Sequence, residues 1–106
     1  MSVKALPDII EFEWDAGNEQ KNWLAHSVAA EEAEEPFFAK EPLILDDIGH
    51  STDTEQRYVL MGKSAAGRML FIAYTLRKKK IRIISARDAD RKEVLFYEEA
   101  LKLAKV

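Results

Sequence analysis

The chain has no cysteine. That excludes disulfides, thiolate zinc sites, iron–sulfur clusters and cysteine nucleophiles together, and it suits a reducing cytoplasm. Only two histidines occur, His26 and His50, so a three-histidine metal site is excluded. Long apolar runs are missing. The longest, Met69 to Tyr74, is strand-sized and far short of the about 20 residues that a membrane-crossing helix needs. The first residues lack the basic-then-apolar order of a secretory signal, so a cytoplasmic protein without membrane association is expected. There is no phosphate-cradling glycine loop, because Gly62, Gly67 and their neighbours do not match the required pattern. No internal repeat, low-complexity tract or long linker divides the 106 residues, so one domain over 1–106 is expected. Residues 1–10 read as an N-terminal arm, since Pro7 interrupts any regular element there.

What is present points to a folded protein: 47% of residues are apolar, enough for one ordinary core. The net charge of −3 conceals a strong asymmetry. Residues 1–56 carry 14 acidic and 3 basic side chains, a balance of −11; residues 57–106 carry 5 acidic and 13 basic, a balance of +8. Such a contrast between halves points to nucleic acid or another acidic partner. It is equally expected if the two halves attract each other and their charges pair internally.

Glu11-Phe12-Glu13-Trp14 alternates polar and apolar, the period of a half-buried strand. Asp15 is placed to cap a helix running to about His26, although Gly17 weakens its first turn. A second helix is expected from about Ala30 to Phe38, with Pro36 disturbing its end. Leu43-Ile44-Leu45 is a short apolar run, and Gly49 to Thr54 reads as a loop. Three strands rich in β-branched and aromatic residues follow at Arg57–Lys63, Met69–Leu76 and Lys80–Ala86. Their connectors, Ser64 to Gly67 and Arg77 to Lys79, are too short for parallel crossovers, so the strands form an antiparallel meander. Asp90-Arg91-Lys92-Glu93 has capping-box spacing, and Val94, Tyr97, Leu101 and Ala104 then make one helical stripe that packs on the sheet. The expected class is α+β, a twisted antiparallel sheet with helices packed on one face and the other face open.

In the last strand, simple alternation puts Ile81, Ile83 and Ser85 on one face and Arg82, Ile84 and Ala86 on the other. A mid-strand arginine is unusual, so Arg82 either faces the open side or pairs with a carboxylate such as Glu55. Arg57 begins an earlier strand, Arg77 ends the middle one and Arg87 follows Arg82. Guanidinium binds phosphate bidentately, and a tyrosine such as Tyr74 offers a ring for base stacking, so this cluster suits a phosphodiester ligand. His26, at a helix end, is placed where the helix dipole favours the charged ring, although a lone histidine there is more often structural. His50 lies near Asp46, Asp47 and Asp53; acids in such a loop read as caps and turns, and no metal or other cofactor is expected.

Several of these residues stand together in a known pattern. Phe12-Glu13-Trp14-Asp15, Asn22, His26, Glu31-Glu32-Ala33 and Phe37, then Asp47, His50-Ser51, Glu55, Arg57-Tyr58, Met61-Gly62, Ser64, Gly67-Arg68, Tyr74-Thr75, Ile81 to Arg87, Glu93 and Tyr97 keep its order and spacing. Over about residues 11–100 the sequence resembles the BrnT-like toxins of type II toxin–antitoxin systems. It differs from their usual pattern at Ala25, Ser27, Ala29, Ala30, Asp88 and Asp90.

The resemblance implies a RelE-like ribonuclease fold, RNA as substrate, a small DNA-binding antitoxin as partner, and toxin subunits that also pair with each other. RNA cleavage of this kind is a metal-independent transesterification in which the ribose 2′-hydroxyl attacks phosphorus. Chemistry and family pattern together assign Arg57, Arg82 and Arg87 to phosphate, His26 or Glu55 to proton transfer, and Tyr74 to stacking or hydrogen bonding. Two other readings stand beside it. One is a non-catalytic module that binds an antitoxin without cutting RNA. The other is a structural domain whose charges neutralise one another.

Overall fold

A computed structural model of the chain describes residues 10–104. The expected arm therefore lies outside the described residues, apart from Ile10. The first helix, α1 (Ala16–His26), starts at a reciprocal cap. The Asp15 carboxylate accepts from the Gly17 and Asn18 amides, while the Asn18 side chain accepts from the Asp15 amide at 2.8 Å. These bonds satisfy donors that a helix start leaves free, which offsets the weakness of Gly17. Ser27 ends the helix in the left-handed region, φ 54°. The second expected helix is shorter than its pattern suggests. It runs as α2 (Ala30–Glu34) and tightens into a 3-10 turn at Glu35–Phe38, because Pro36 has no amide hydrogen to continue the ladder.

Four strands follow: β1 (Leu43–Asp46), β2 (Arg57–Lys63), β3 (Met69–Arg77) and β4 (Lys80–Asp88). They lie in the order β1-β2-β3-β4 with every neighbour antiparallel, as the short connectors require. The Leu43-Ile44-Leu45 run is thus an edge strand. The β2–β3 connection turns at Gly67, φ +84°, a conformation open to glycine without strain. The β3–β4 turn places Lys78 and Lys79 at φ 50° and 67°, the double left-handed pattern whose twist matches adjoining strands. The Glu11 to Trp14 segment is not a full strand. It makes one parallel bridge, Phe12 to Ile81, with the Glu13 amide donating to the Ile81 carbonyl and the Ile81 amide to the Glu11 carbonyl, both at 2.8 Å.

The last helix, α3 (Arg91–Ala104), begins with the expected capping box: the Glu93 amide donates to Asp90 Oδ1 at 2.8 Å and the Asp90 amide to Glu93 Oε1 at 2.9 Å. The α+β class and the antiparallel sheet are those read from the sequence. The distribution of helices differs. One sheet face, carrying Leu60, Leu70, Ile72, Tyr74, Ile81, Ile83 and Ala86, is sealed by Val28, Ala33 and Phe37 from the α1, α2 and 3-10 segment. Helix α3 lies on the opposite face, where Tyr97 is buried against Leu43, Val59 and Met61 with Ala100 and Leu101 beside it. Ala104, expected in that stripe, is exposed. Helices therefore cover both faces, and α3 covers only part of its own. Among the described residues no helix is long and apolar enough to cross a membrane.

Candidate functional site

Strand β4 departs from strict alternation. Tyr74 pairs with Ile83 and Ala73 with Ser85, so Ile84 is an extra residue, a β-bulge. Before the bulge Ile81 and Ile83 face the sealed core; after it Ala86 does so, fully buried. The expectation that Ala86 shares a face with Arg82 is thereby overturned. The expectation that Ser85 sits with Ile83 is overturned as well, because one added residue reverses the parity of everything beyond it.

The consequence is that Arg82 and Arg87, five residues apart, share the face opposite the core. Cross-strand partners fix the rows on that face. Arg57, Thr75 and Arg82 form one row; Val59, Ala73 and Ser85 the next; Met61, Phe71 and Arg87 the third. By strand geometry the outer rows lie about 13 Å apart.

Where α3 leaves this face uncovered, a groove of about 700 Å³ opens, with Arg57, Arg87, Phe71, Ile84, Ser85 and Phe96 among its walls. A smaller recess of about 200 Å³ adjoins it through Arg57 and Ile84 and is lined also by Glu55, Arg77 and Arg82. Three predicted arginines and Glu55 are thus brought to one surface.

Each guanidinium already holds a carboxylate. Arg57 Nε donates to Glu55 at 3.0 Å, and Arg77 approaches the other Glu55 oxygen at 3.6 Å. These cations, Arg57 foremost, hold the Glu55 carboxyl below its usual value. Arg82 pairs with Glu13 at 3.0 Å and with Asp15 at 2.9 Å, rather than with Glu55. Its hydrogen bond lowers the Asp15 pKa. Arg87 makes a two-pronged pair with Glu93, at 2.8 and 2.9 Å, and lies 4.3 Å over the Phe71 ring. That pair lowers Glu93 and raises Arg87. Charges from the acidic half therefore do meet those of the basic half. The pairs are partly exposed, from 16% for the Arg82 side chain to 57% for its partner Asp15.

Two predicted residues do not join the groove. Tyr74 lies on the sealed face, 3% exposed, stacked on Tyr58 and edge-on to Phe37. Burial raises its hydroxyl pKa, and a ring so enclosed cannot stack on a base. Its role as a stacking group is withdrawn: cross-strand register pairs Arg57 with Thr75, not with Tyr74. His26 stands at the exposed end of α1, away from the groove walls. Its carbonyl, with that of Ser27, accepts from Arg68, which also pairs with Glu32 and Asp88. Arg68 is therefore a clamp on the α1–α2 junction. Sequence reasoning missed Phe71 and Phe96 as groove walls and Glu93 as the anchor of Arg87; the Phe71–Arg87 pairing would have followed from the register once the bulge was known.

Among the described residues, no three histidine, aspartate or glutamate side chains come together in a way that could hold a metal ion. Residues 14–93 match the family model described as a ribonuclease toxin, BrnT, of type II toxin–antitoxin systems. That span contains every strand of the sheet and the whole arginine surface. No curated protein matches the chain at a significant level.

Proposed function

Because the chain belongs to the BrnT family of ribonuclease toxins of type II toxin–antitoxin systems, with RNA as substrate and an antitoxin protein as partner, we propose that the Arg57–Arg82–Arg87 surface is where RNA is bound and cut. The single observation that carries this reading is the bulge at Ile84, which puts Arg82 and Arg87 on the same face as Arg57, around an open groove and the recess that adjoins it. Guanidinium groups suit phosphate because their paired donors match its oxygens. Phe71 and Phe96 add apolar walls against which a base can rest.

The reaction is transesterification. The 2′-hydroxyl attacks the adjacent phosphorus, and negative charge builds on the phosphate oxygens in the transition state. Fixed guanidinium groups stabilise that charge. Arg87 is held by Glu93 and Phe71 before substrate arrives, so little ordering remains to be done on binding. Glu55 keeps Arg57 in place.

The partner in this reading is a small DNA-binding antitoxin that covers the groove in the cytoplasm, and the toxin also pairs with a second copy of itself. Trp23 and Leu24, exposed side by side on α1, are consistent with a chain that spends time against another protein.

The test uses purified toxin free of antitoxin and a labelled single-stranded RNA. Arg57→Ala and Arg87→Ala are expected to cut at least about 100-fold more slowly while keeping the wild-type fold by circular dichroism. Wild-type cleavage by both variants would refute the assignment. RNA binding without any cutting by the unaltered protein would favour the non-catalytic module instead.

A further inference from the structure

The arginine surface supplies charge stabilisation but no evident proton acceptor. Glu55 is held charged by Arg57 and Arg77, which makes it a weak base. His26 is outside the groove. The groove wall, however, carries a second histidine. Both carboxylate oxygens of Asp47 lie 3.0 Å from His50 Nδ1, and both residues line the groove with Arg57 and Arg87.

The loop that carries this pair is tied to the strand that carries Arg57. The Asp47 amide donates to the Arg57 carbonyl at 2.9 Å. The Arg57 amide donates to Ser51 Oγ at 2.9 Å, and Ser51 Oγ donates to the Asp47 carbonyl at 2.7 Å. Asp47, His50 and Arg57 thus sit on one small hydrogen-bonded frame. A carboxylate oxygen only accepts, so Nδ1 bears the hydrogen and Nε2 of the neutral ring keeps its lone pair. The imidazole is 72% exposed and free to meet a substrate.

We propose that His50 is the general base of RNA cleavage and that Asp47 is its positioning residue, fixing the tautomer that leaves Nε2 as acceptor. The inference rests on the ribonuclease reading above and deepens it. Nε2 takes the 2′-hydroxyl proton as O2′ bonds to phosphorus. The P–O5′ bond breaks, and O5′ leaves with the electron pair and takes a proton from water. The imidazolium returns its proton to the hydroxide so formed. The products are a 2′,3′-cyclic phosphate and a 5′-hydroxyl end, with no metal and no net water consumed.

The experiment compares wild type, His50→Ala, Asp47→Asn and Arg87→Ala on a fluorescent single-stranded RNA, and measures binding of the same RNA with 2′-O-methyl groups, which cannot react. His50→Ala is expected to lose kcat by at least about 100-fold with KM unchanged, and added imidazole to restore part of it. Asp47→Asn is expected to lose about 10-fold or more in kcat, again with KM unchanged. The 2′-O-methyl RNA should bind His50→Ala as tightly as wild type and Arg87→Ala more weakly. Wild-type kcat in His50→Ala would overturn the inference and leave the arginine assignment standing. A wild-type protein that cuts no RNA overturns both.

Discussion

The two faces of the sheet are built from the same four strands and do opposite work. On the sealed face Leu60, Leu70, Ile72, Ile81, Ile83 and Ala86 are at or near zero exposure beneath Val28, Ala33 and Phe37. Even Gly62 is closed over there: a Cβ on it would come 3.2 Å from Pro36 Cβ. The other face has one buried helical side chain, Tyr97, and then opens into the groove. Burial of apolar area stabilises the fold at about 25 cal/mol per Å². The first face therefore contributes most of that stabilisation, and the second leaves part of it unrealised where the groove opens. Strand β4 serves both, and the bulge at Ile84 decides which of its residues serves which.

Substitutions on the two faces should separate stability from cleavage. The largest stability effect is expected on the sealed face. Leu60→Ala should lower the unfolding free energy by about 2–5 kcal/mol in urea titration, with cleavage per folded molecule unchanged. A simultaneous loss of both would mean that the faces are coupled. A smaller effect is expected where the two regions meet. Asp90→Ala removes the cap of α3 and should cost about 1 kcal/mol, visible as faster amide hydrogen exchange in the first turn of α3 and little change on α1.

The smallest effect is a pH dependence that both faces share. Asp88, held low by Arg68 on the sealed side, and Glu93, held low by Arg87 on the groove side, have folded-state pKa values beneath their unfolded values of 3.8 and 4.5. A depressed carboxyl adds stability above its unfolded pKa, and that stability disappears as pH falls through the folded pKa. Thermal stability should thus decline below about pH 5. Asp88→Asn and Glu93→Gln should each flatten part of that decline. An unchanged acid limb in both variants would show that these pairs contribute nothing to folding.

Features set by neighbours along the chain were legible in the sequence. The three long strands announce themselves by β-branched and aromatic runs, and the Asp90–Glu93 box by spacing alone. The arginines were legible as a group because mid-strand guanidinium needs either a partner or an open face; Arg82 has both. What was not legible depends on partners across the sheet. Tyr74 looks as available as its neighbours until the register pairs it with Tyr58 and puts Thr75 beside Arg57. That register hangs on the Ser64–Gly67 turn, where one residue more or less would exchange the faces. The bulge has no local signature in Ile83-Ile84-Ser85-Ala86, so alternation carried past Ile83 misplaces Ser85 and Ala86. Helix α3 carries apolar residues on more than one side, Leu95 and Leu103 among the exposed ones, so its stripe does not tell which sheet face it takes.

The bridge from Phe12 to Ile81 bears on how the molecule meets other chains. Backbone donors and acceptors along a sheet border invite a foreign strand to extend the ladder. Here the β4 border is occupied at Ile81 by the protein's own leading segment, and the opposite border is the four-residue β1. On the same border the Asn18 side chain donates to the Ile83 carbonyl and the Asn22 side chain accepts from the Ala86 amide, so β4 leaves little room for strand extension.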